Sequence, residues 1–316
     1  MAISYRPMRA KDLAECVSIV ATHPLIGPRY ADAIKNLRSV WGDLLGREAF
    51  RAVVFEDSRR SRANIIGVGV SAFVSDEFLA SIKKTLSSWI GPKLTRCVAH
   101  GELPLLTDRA VREANANGGL NLVTWEGAIC KDYWQCAEVH ATVISAFVEQ
   151  HRGFFLKEVL GQPSTREGLD TTLRSGTQML SKDGRYVDPS DSFNEVALPI
   201  CVGLTREVAR SRPGAWLASL FLYQAPLCGF RASEQRLLLA ALRGGTDQEL
   251  ADYLGISLSA VKKTWLSIYS RASTHLPSLL LSAAATQEDG ERGREKKYHL
   301  LAYLRNHPEE LRPACM

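Results

Sequence analysis

No run of apolar residues approaches the length of a membrane span. The opening Met1-Ala2-Ile3-Ser4-Tyr5-Arg6 lacks the apolar core of a secretory leader. The chain is therefore expected to be cytoplasmic, with no membrane partner. Its seven cysteines, Cys16, Cys97, Cys130, Cys136, Cys201, Cys228 and Cys315, are odd in number and form no C-x-x-C pair. That argues against a disulfide framework and against a zinc site, and for reduced thiols. Strong charge of either sign is missing too: the net charge is +5, which permits nucleic-acid binding without demanding it. The one basic run, Ser58-Arg59-Arg60-Ser61-Arg62, reads as a solvated loop between two strands. There is no secure internal repeat. What is present is length and apolar content: 316 residues at 46% hydrophobic composition support two or more full-sized domains.

The most readable stretch runs from Phe230 to Ala272. Ser233 is placed as N-cap of a helix carrying Leu237, Leu238, Ala241 and Leu242 at core-facing spacing, and Gly244-Gly245 stops it. Thr246 and Glu249 form a capping box that opens a second helix, Asp247 to Leu254. Gly255 supplies the left-handed turn, Ile256 is expected to plug it, and Ser257 caps a third helix to about Arg271. Ala251, Gly255 and Val261 suit two helices that cross steeply. On the third helix Val261, Trp265, Leu266, Ile268 and Tyr269 are assigned to packing and partner contacts. Ser259, Lys262, Lys263 and Ser267 are assigned outward.

This run, and GISLSAVKKTWLSIYSRA within it, resembles the LuxR-type helix-turn-helix, the four-helix, all-α output domain of many bacterial transcription regulators. The resemblance implies double-stranded DNA as partner, a homodimer on paired half-sites, and major-groove contacts from Thr246, Ser257, Leu258, Ser259, Lys262, Lys263 and Ser267.

Upstream the chain reads as α/β or α+β with a mixed sheet. Residues 3–8 suggest a strand, and Asp12 an N-cap for a helix with Leu13, Cys16, Val17 and Val20 on one face. A helical stretch spans Arg29 to Leu45. Strands follow at Phe50–Asp57 and Asn64–Val74, then an amphipathic helix from Asp76 to Thr95. Further strands are expected at Leu120–Gly127 and Phe154–Gln162, with helices at Glu138–His151 and Glu167–Leu180. EVALPICVGL and Trp216–Tyr223 read as apolar core segments, and Lys182-Asp183-Gly184-Arg185 as a turn. The opening, ISYRPMRAKDLAECVSIV and the two strands after it, resembles a GNAT-type N-acetyltransferase. That family holds its donor's pyrophosphate in a Q/R-x-x-G-x-G/A loop leading into a helix. The candidate, Arg112 with Asn115-Ala116-Asn117-Gly118-Gly119, lacks the spacing. The expectation is thus a non-catalytic copy that senses or scaffolds: no enzyme, no cofactor and no metal.

Chemistry elsewhere is sparse. His100, His140 and His151 lie near Cys130, Cys136, Asp132, Glu138 and Glu149 in sequence, so a Cys–His site is conceivable, but free cysteines are more often buried and inert. Trp125, Tyr133 and Trp134 are the residues offered for a small-effector pocket. Nothing resembles the acidic pocket of a receiver domain. The domain plan is a region 1–223 (one α/β domain or two), a linker 224–229 bent at Pro226, the helix-turn-helix at 230–285, and a polar segment with a terminal helix at 286–316. The leading function is a sequence-specific transcription regulator. The alternative is an N-acetyltransferase with an appended DNA-binding or docking module.

Overall fold

The structure is a computed structural model that describes residues 2–60, 64–86, 88–181, 183–188, 199–281 and 289–313. Two compact units divide the chain, Met1–Leu222 and Tyr223–Met316.

The first unit is built on an eight-stranded mixed sheet in the order β1-β2-β3-β4-β5-β8-β6-β7. Strands β1 (Ile3–Pro7), β2 (Phe50–Asp57) and β3 (Ile65–Val74) form an antiparallel meander. Between β1 and β2 lie α1 (Leu13–Thr22), α2 (Gly27–Tyr30) and α3 (Ile34–Leu44). Three helices intervene before β4: α4 (Asp76–Lys84), α5 (Ile90–Ala99) and α6 (Asp108–Ala116). Strand β4 (Leu120–Ile129) is antiparallel to β3, α7 (Ala137–His151) crosses over, and β5 (Leu156–Gly161) returns parallel to β4. A crossover helix is what a parallel pair requires. Helix α8 (Arg166–Arg174), strands β6 (Gln178–Leu180), β7 (Tyr186–Val187) and β8 (Val202–Thr205), and α9 (Arg206–Ser211) complete the unit, with a 3-10 helix at Trp216–Phe221.

Strand alternation sends side chains to two cores. Val54, Val68, Val70 and Val123 pack with Leu37, Trp41 and Leu94 on one face. Val53, Phe55 and Ile66 pack with Val139 and Ala146 of α7 on the other.

Several expected elements differ. The helix from Asp76 to Thr95 is two helices, because Trp89 is extended and caps α5. The stretch from Arg29 to Leu45 likewise breaks at Ala31, the one non-glycine residue with positive φ among those described, 35°. Glu167–Leu180 is helical only to Arg174; Gln178–Leu180 joins the sheet beside β8. Asp12 does not cap α1 with its side chain. Its carboxylate instead accepts from Arg6 at 2.6 and 3.0 Å and from the Arg9 N–H at 2.8 Å. Trp216–Phe221 is buried as expected over most of its length, but as a 3-10 turn. Ser61 and Arg62 of the basic run, Lys182 of the turn, residues 195–198 of the apolar segment, residues 282–285 at the end of the expected helix-turn-helix region, residues 286–288 of the polar segment and Cys315 lie outside the described residues.

In the second unit the described residues form helices and no strand: α10 (Ala232–Ala241), α11 (Asp247–Leu254), α12 (Leu258–His275), α13 (Pro277–Leu281), α14 (Asp289–Asn306) and a 3-10 turn at Pro308–Leu311. Local chemistry sets the ends. Thr246 Oγ1 accepts from the Glu249 N–H while Glu249 accepts from the Thr246 N–H at 2.7 Å. Gly255 terminates α11 at φ 65°, a left-handed turn that costs glycine nothing. Ser257 caps α12 through the Ala260 N–H. At α10 the cap is Arg231, not Ser233: the Arg231 N–H donates to the buried Glu234 carboxylate at 2.7 Å. Ile256 is 41% exposed and plugs nothing, and Leu266 is exposed as well. Trp265 is buried, donates its indole N–H to Asp247 at 3.2 Å and stacks on Tyr269. Trp265→Ala is expected to cost this unit about 3–5 kcal/mol, through lost burial and a cavity. Urea unfolding followed by circular dichroism checks it. No described helix is long and apolar enough to cross a membrane.

Candidate functional site

Strands β4 and β5 are paired only from Leu120↔Leu156 to Val123↔Leu160. Beyond that level β4 stays with β3, as far as Ile129↔Gly67, while β5 leaves with β8, Gly161↔Val202. The sheet therefore forks at Thr124 and Gly161. A Cβ on Gly161 would lie 2.4 Å from Thr124 Oγ1, so a side chain there cannot fit without displacing Thr124. The β4 edge from Thr124 to Ala128 faces the fork without a strand partner, which leaves main-chain groups for a ligand.

A cavity of about 550 Å³ occupies the fork. It is lined from both faces of the sheet: Arg29, Trp89, Gly91 and Glu126 on the α2/α5 side, and Val143 and Phe147 of α7 on the other. The α5 wall is braced. Gln162 Oε1 accepts from the Ile90 N–H at 2.6 Å, and its Nε2 donates to the Ser88 carbonyl at 3.0 Å. Arg29 stacks on Trp89, 3.6 Å from the ring centroid, and donates to Ser164 Oγ and its carbonyl, each at 3.0 Å.

Glu126 is the chemically distinctive group. Burial pushes its carboxyl up to about 7, against a hydrogen bond from the Gly127 N–H at 3.1 Å, the Tyr30 hydroxyl and the Arg29 charge, which all favour ionisation. Tyr30 is fully buried beside it, and its hydroxyl finds no hydrogen bond of normal geometry. Gly91 keeps the two side by side: a Cβ there would lie 2.4 Å from Tyr30 Oη and 3.1 Å from Glu126 Oε2. A carboxyl poised near neutrality on a cavity wall can take a proton from a substrate and return it.

Of the three residues offered for a pocket, Trp125 lines the cavity, but Tyr133 and Trp134 do not. Tyr133 donates to Asp57 at 2.8 Å, and the Trp134 indole donates to the Ile129 carbonyl at 2.8 Å. The Cys–His arrangement does not assemble. His140 is exposed, and buried His151 is occupied by Ser71 Oγ and the Phe147 carbonyl, at 2.6 and 2.7 Å. Burial raises the Cys130 thiol, which keeps it protonated. Among the described residues no cluster of His, Cys, Asp or Glu could hold a metal.

The stretch after Arg112 ends α6 and leads into strand β4, whereas the segment joining β4 to α7 leads into a helix. Arg112 and Asn115 lie on α6, where Arg112 pairs with Glu48 and Asn115 accepts from the Phe155 N–H. The joining segment, Cys130-Lys131-Asp132-Tyr133-Trp134-Gln135-Cys136, contains no glycine. Its Tyr133, Trp134 and Cys136 N–H groups are spent on the carbonyls of Cys130, Lys131 and Tyr133. Those three donors are not free for phosphates, whereas the unpaired edge of β4 offers main-chain groups.

In the second unit Thr246, Ser257, Ser259, Lys262 and Lys263 are exposed and Leu258 is half-buried. Ser267 departs from its outward assignment, because its hydroxyl donates to the buried Glu234 at 2.6 Å.

No family model matches the chain, and no curated protein matches it in sequence. Solved structures do. One, described as histone acetyltransferase HPA2 and related acetyltransferase from Corynebacterium glutamicum, is 14% identical, with 64% of this chain and 96% of that chain covered and a TM-score of 0.37. A spermidine N-acetyltransferase SpeG chimera from Vibrio cholerae and hSSAT is 10% identical over 65% of this chain and 96% of that one, TM-score 0.36. Aminoglycoside acetyltransferase AAC(6')-Ib, in complex with coenzyme A and kanamycin, is 12% identical over 67% and 99%, TM-score 0.34. The first unit thus has acetyltransferases among its structural neighbours, and the expectation that the chain is no enzyme is corrected on that finding. Nothing in these neighbours speaks for a DNA-binding regulator.

Proposed function

We propose that residues 1–222 transfer an acyl group from a thioester to an amine at the β4–β5 fork. The observation that carries this reading is Glu126, a carboxyl poised at about 7 on the wall of a cavity that opens to both faces of the sheet. Acyl transfer to an amine has a use for such a group, because an ammonium cannot attack until it loses a proton. The ammonium gives one proton to Glu126. Its nitrogen then bonds to the acyl carbon, the C–S bond breaks, and the second proton leaves with the thiol. The unpaired β4 edge is suited to hold the donor's arm through main-chain hydrogen bonds. Thiol release from acetyl-CoA, followed over a panel of primary amines, tests the reading. Amine-dependent release is expected, rising with pH through about 7.

A second reading concerns residues 223–316 and is favoured by one observation. Lys262 and Lys263 are exposed side by side near the capped start of α12, and no acid lies between Tyr253 and Ala272. This suits contact with the phosphates of duplex DNA, with the appended unit docking the transferase region on nucleic acid. Lys262→Ala with Lys263→Ala is expected to weaken duplex binding and to lower the slope of log affinity against log salt by about 1–2. A filter-binding salt titration reads it; an unchanged slope removes the assignment.

A further inference from the structure

Arg51 is a cation inside the cavity with nothing to hold. It sits on β2 opposite Ser71, level with the fork, and on the α7 side of the sheet with Val53 and Phe55. Its guanidinium makes no hydrogen bond and no ion pair with a described residue, and its Nε is buried without a partner. Its neighbour is the Phe154 ring, whose centroid lies 4.9 Å away. The one acid whose field it feels is Glu48. Glu48 Oε1 is bonded to Arg112, at 2.6 and 3.2 Å, and its Oε2 is buried with no hydrogen bond to Arg51 or any other partner. His151, bonded to Ser71 and the Phe147 carbonyl, brings no negative charge. Burial lowers Arg51 to about 10, so it remains a cation at neutral pH. A half-buried charge whose Nε is shut off from water without a partner is costly to the fold. A counter-charge delivered by a ligand removes that cost.

The surroundings select the ligand. Arg51 offers a planar fork of donors that matches a carboxylate bidentately. The walls around it on this side, Val143, Phe147, Val159 and Leu217, are apolar and suit a hydrocarbon body. A phosphate dianion would call for more cations than one guanidinium, and Arg29, the other arginine lining the cavity, is taken by Ser164 and Trp89.

We propose that the α7 side of the cavity binds an apolar monocarboxylate whose carboxylate pairs with Arg51. The proposal does not depend on acyl transfer, because it is read by binding alone. Calorimetric titration of the full chain with octanoate and with its uncharged counterpart octanamide tests it. Octanoate is expected to bind at least about tenfold more tightly than octanamide, the scale of one charge-assisted pair. In Arg51→Met, checked for an intact melting transition, the two are expected to bind within about twofold of each other. Equal affinity in the unsubstituted chain, no binding of octanoate, or a preference that survives in Arg51→Met overturns the site. Should Arg51→Met fail to fold, the acid–amide comparison on the unsubstituted chain decides by itself. Loss of acyl transfer with the octanoate preference intact would sink the catalytic reading and leave this one standing.

Discussion

Replacing Glu126 by Gln is expected to lower amine acylation by about 10²- to 10⁴-fold, the range that a positioned general base contributes. The substitution keeps size and much of the hydrogen bonding, so the cavity should survive and the donor should still bind. The loss should fall on turnover, since only proton removal has gone. The acid limb of the pH profile, set by a carboxyl at about 7, should disappear with it. Stability supplies an independent readout of the same group. The folded value lies above the ordinary 4.5, so between those two values the folded chain binds more protons than the unfolded one. Stability from this group is therefore fully present below about 4.5 and is lost as pH rises through about 7. The total is about 3 kcal/mol at most. Glu126→Gln should flatten the fall in melting temperature between those limits and melt above the unsubstituted chain at pH 8. A variant with an unchanged pH profile would show that the carboxyl is a bystander.

Gly161→Val is expected to abolish donor binding while leaving the sheet assembled. The added Cβ would meet Thr124 Oγ1 at 2.4 Å, at the point where β4 and β5 part. Thr124 must move or the fork must fill. The structural cost is that of modest overpacking, about 1–3 kcal/mol. The functional cost is larger, because the branched side chain stands where the donor's arm would enter. Thermal shift by acetyl-CoA should fall below detection in Gly161→Val, with circular dichroism unchanged. An undiminished shift would place the donor elsewhere.

How much of this was legible in the sequence depended on range. Strands β2, β3 and β4 and helix α7 follow from apolar runs and periodicity, and the caps at Thr246, Gly255 and Ser257 follow from local chemistry. Ile256 and Ser267 differ from their expected placements, because the packed faces of short helices are set by neighbours distant in sequence, such as Glu234. The stretch after Arg112 reads in sequence as a turn that could open a helix, yet it ends α6 and leads into β4. Glu126 gave no signal. In Thr124-Trp125-Glu126-Gly127 it looks like the polar half of an alternating strand, and its character comes from Tyr30 and Gly91. Arg51 was hidden in the same way within Phe50–Asp57, since a missing partner is visible only in three dimensions.

The central claim is that the fork itself, rather than a phosphate loop, makes the acyl-transfer site. Thiol release measured side by side with acetyl-CoA and with acetyl-pantetheine, which lacks the nucleotide, tests it most directly. The expected result is amine-dependent release from both donors, with kcat/KM values within about tenfold because little grips the diphosphate. Release from neither donor with any amine would contradict the account, and so would release from acetyl-CoA alone.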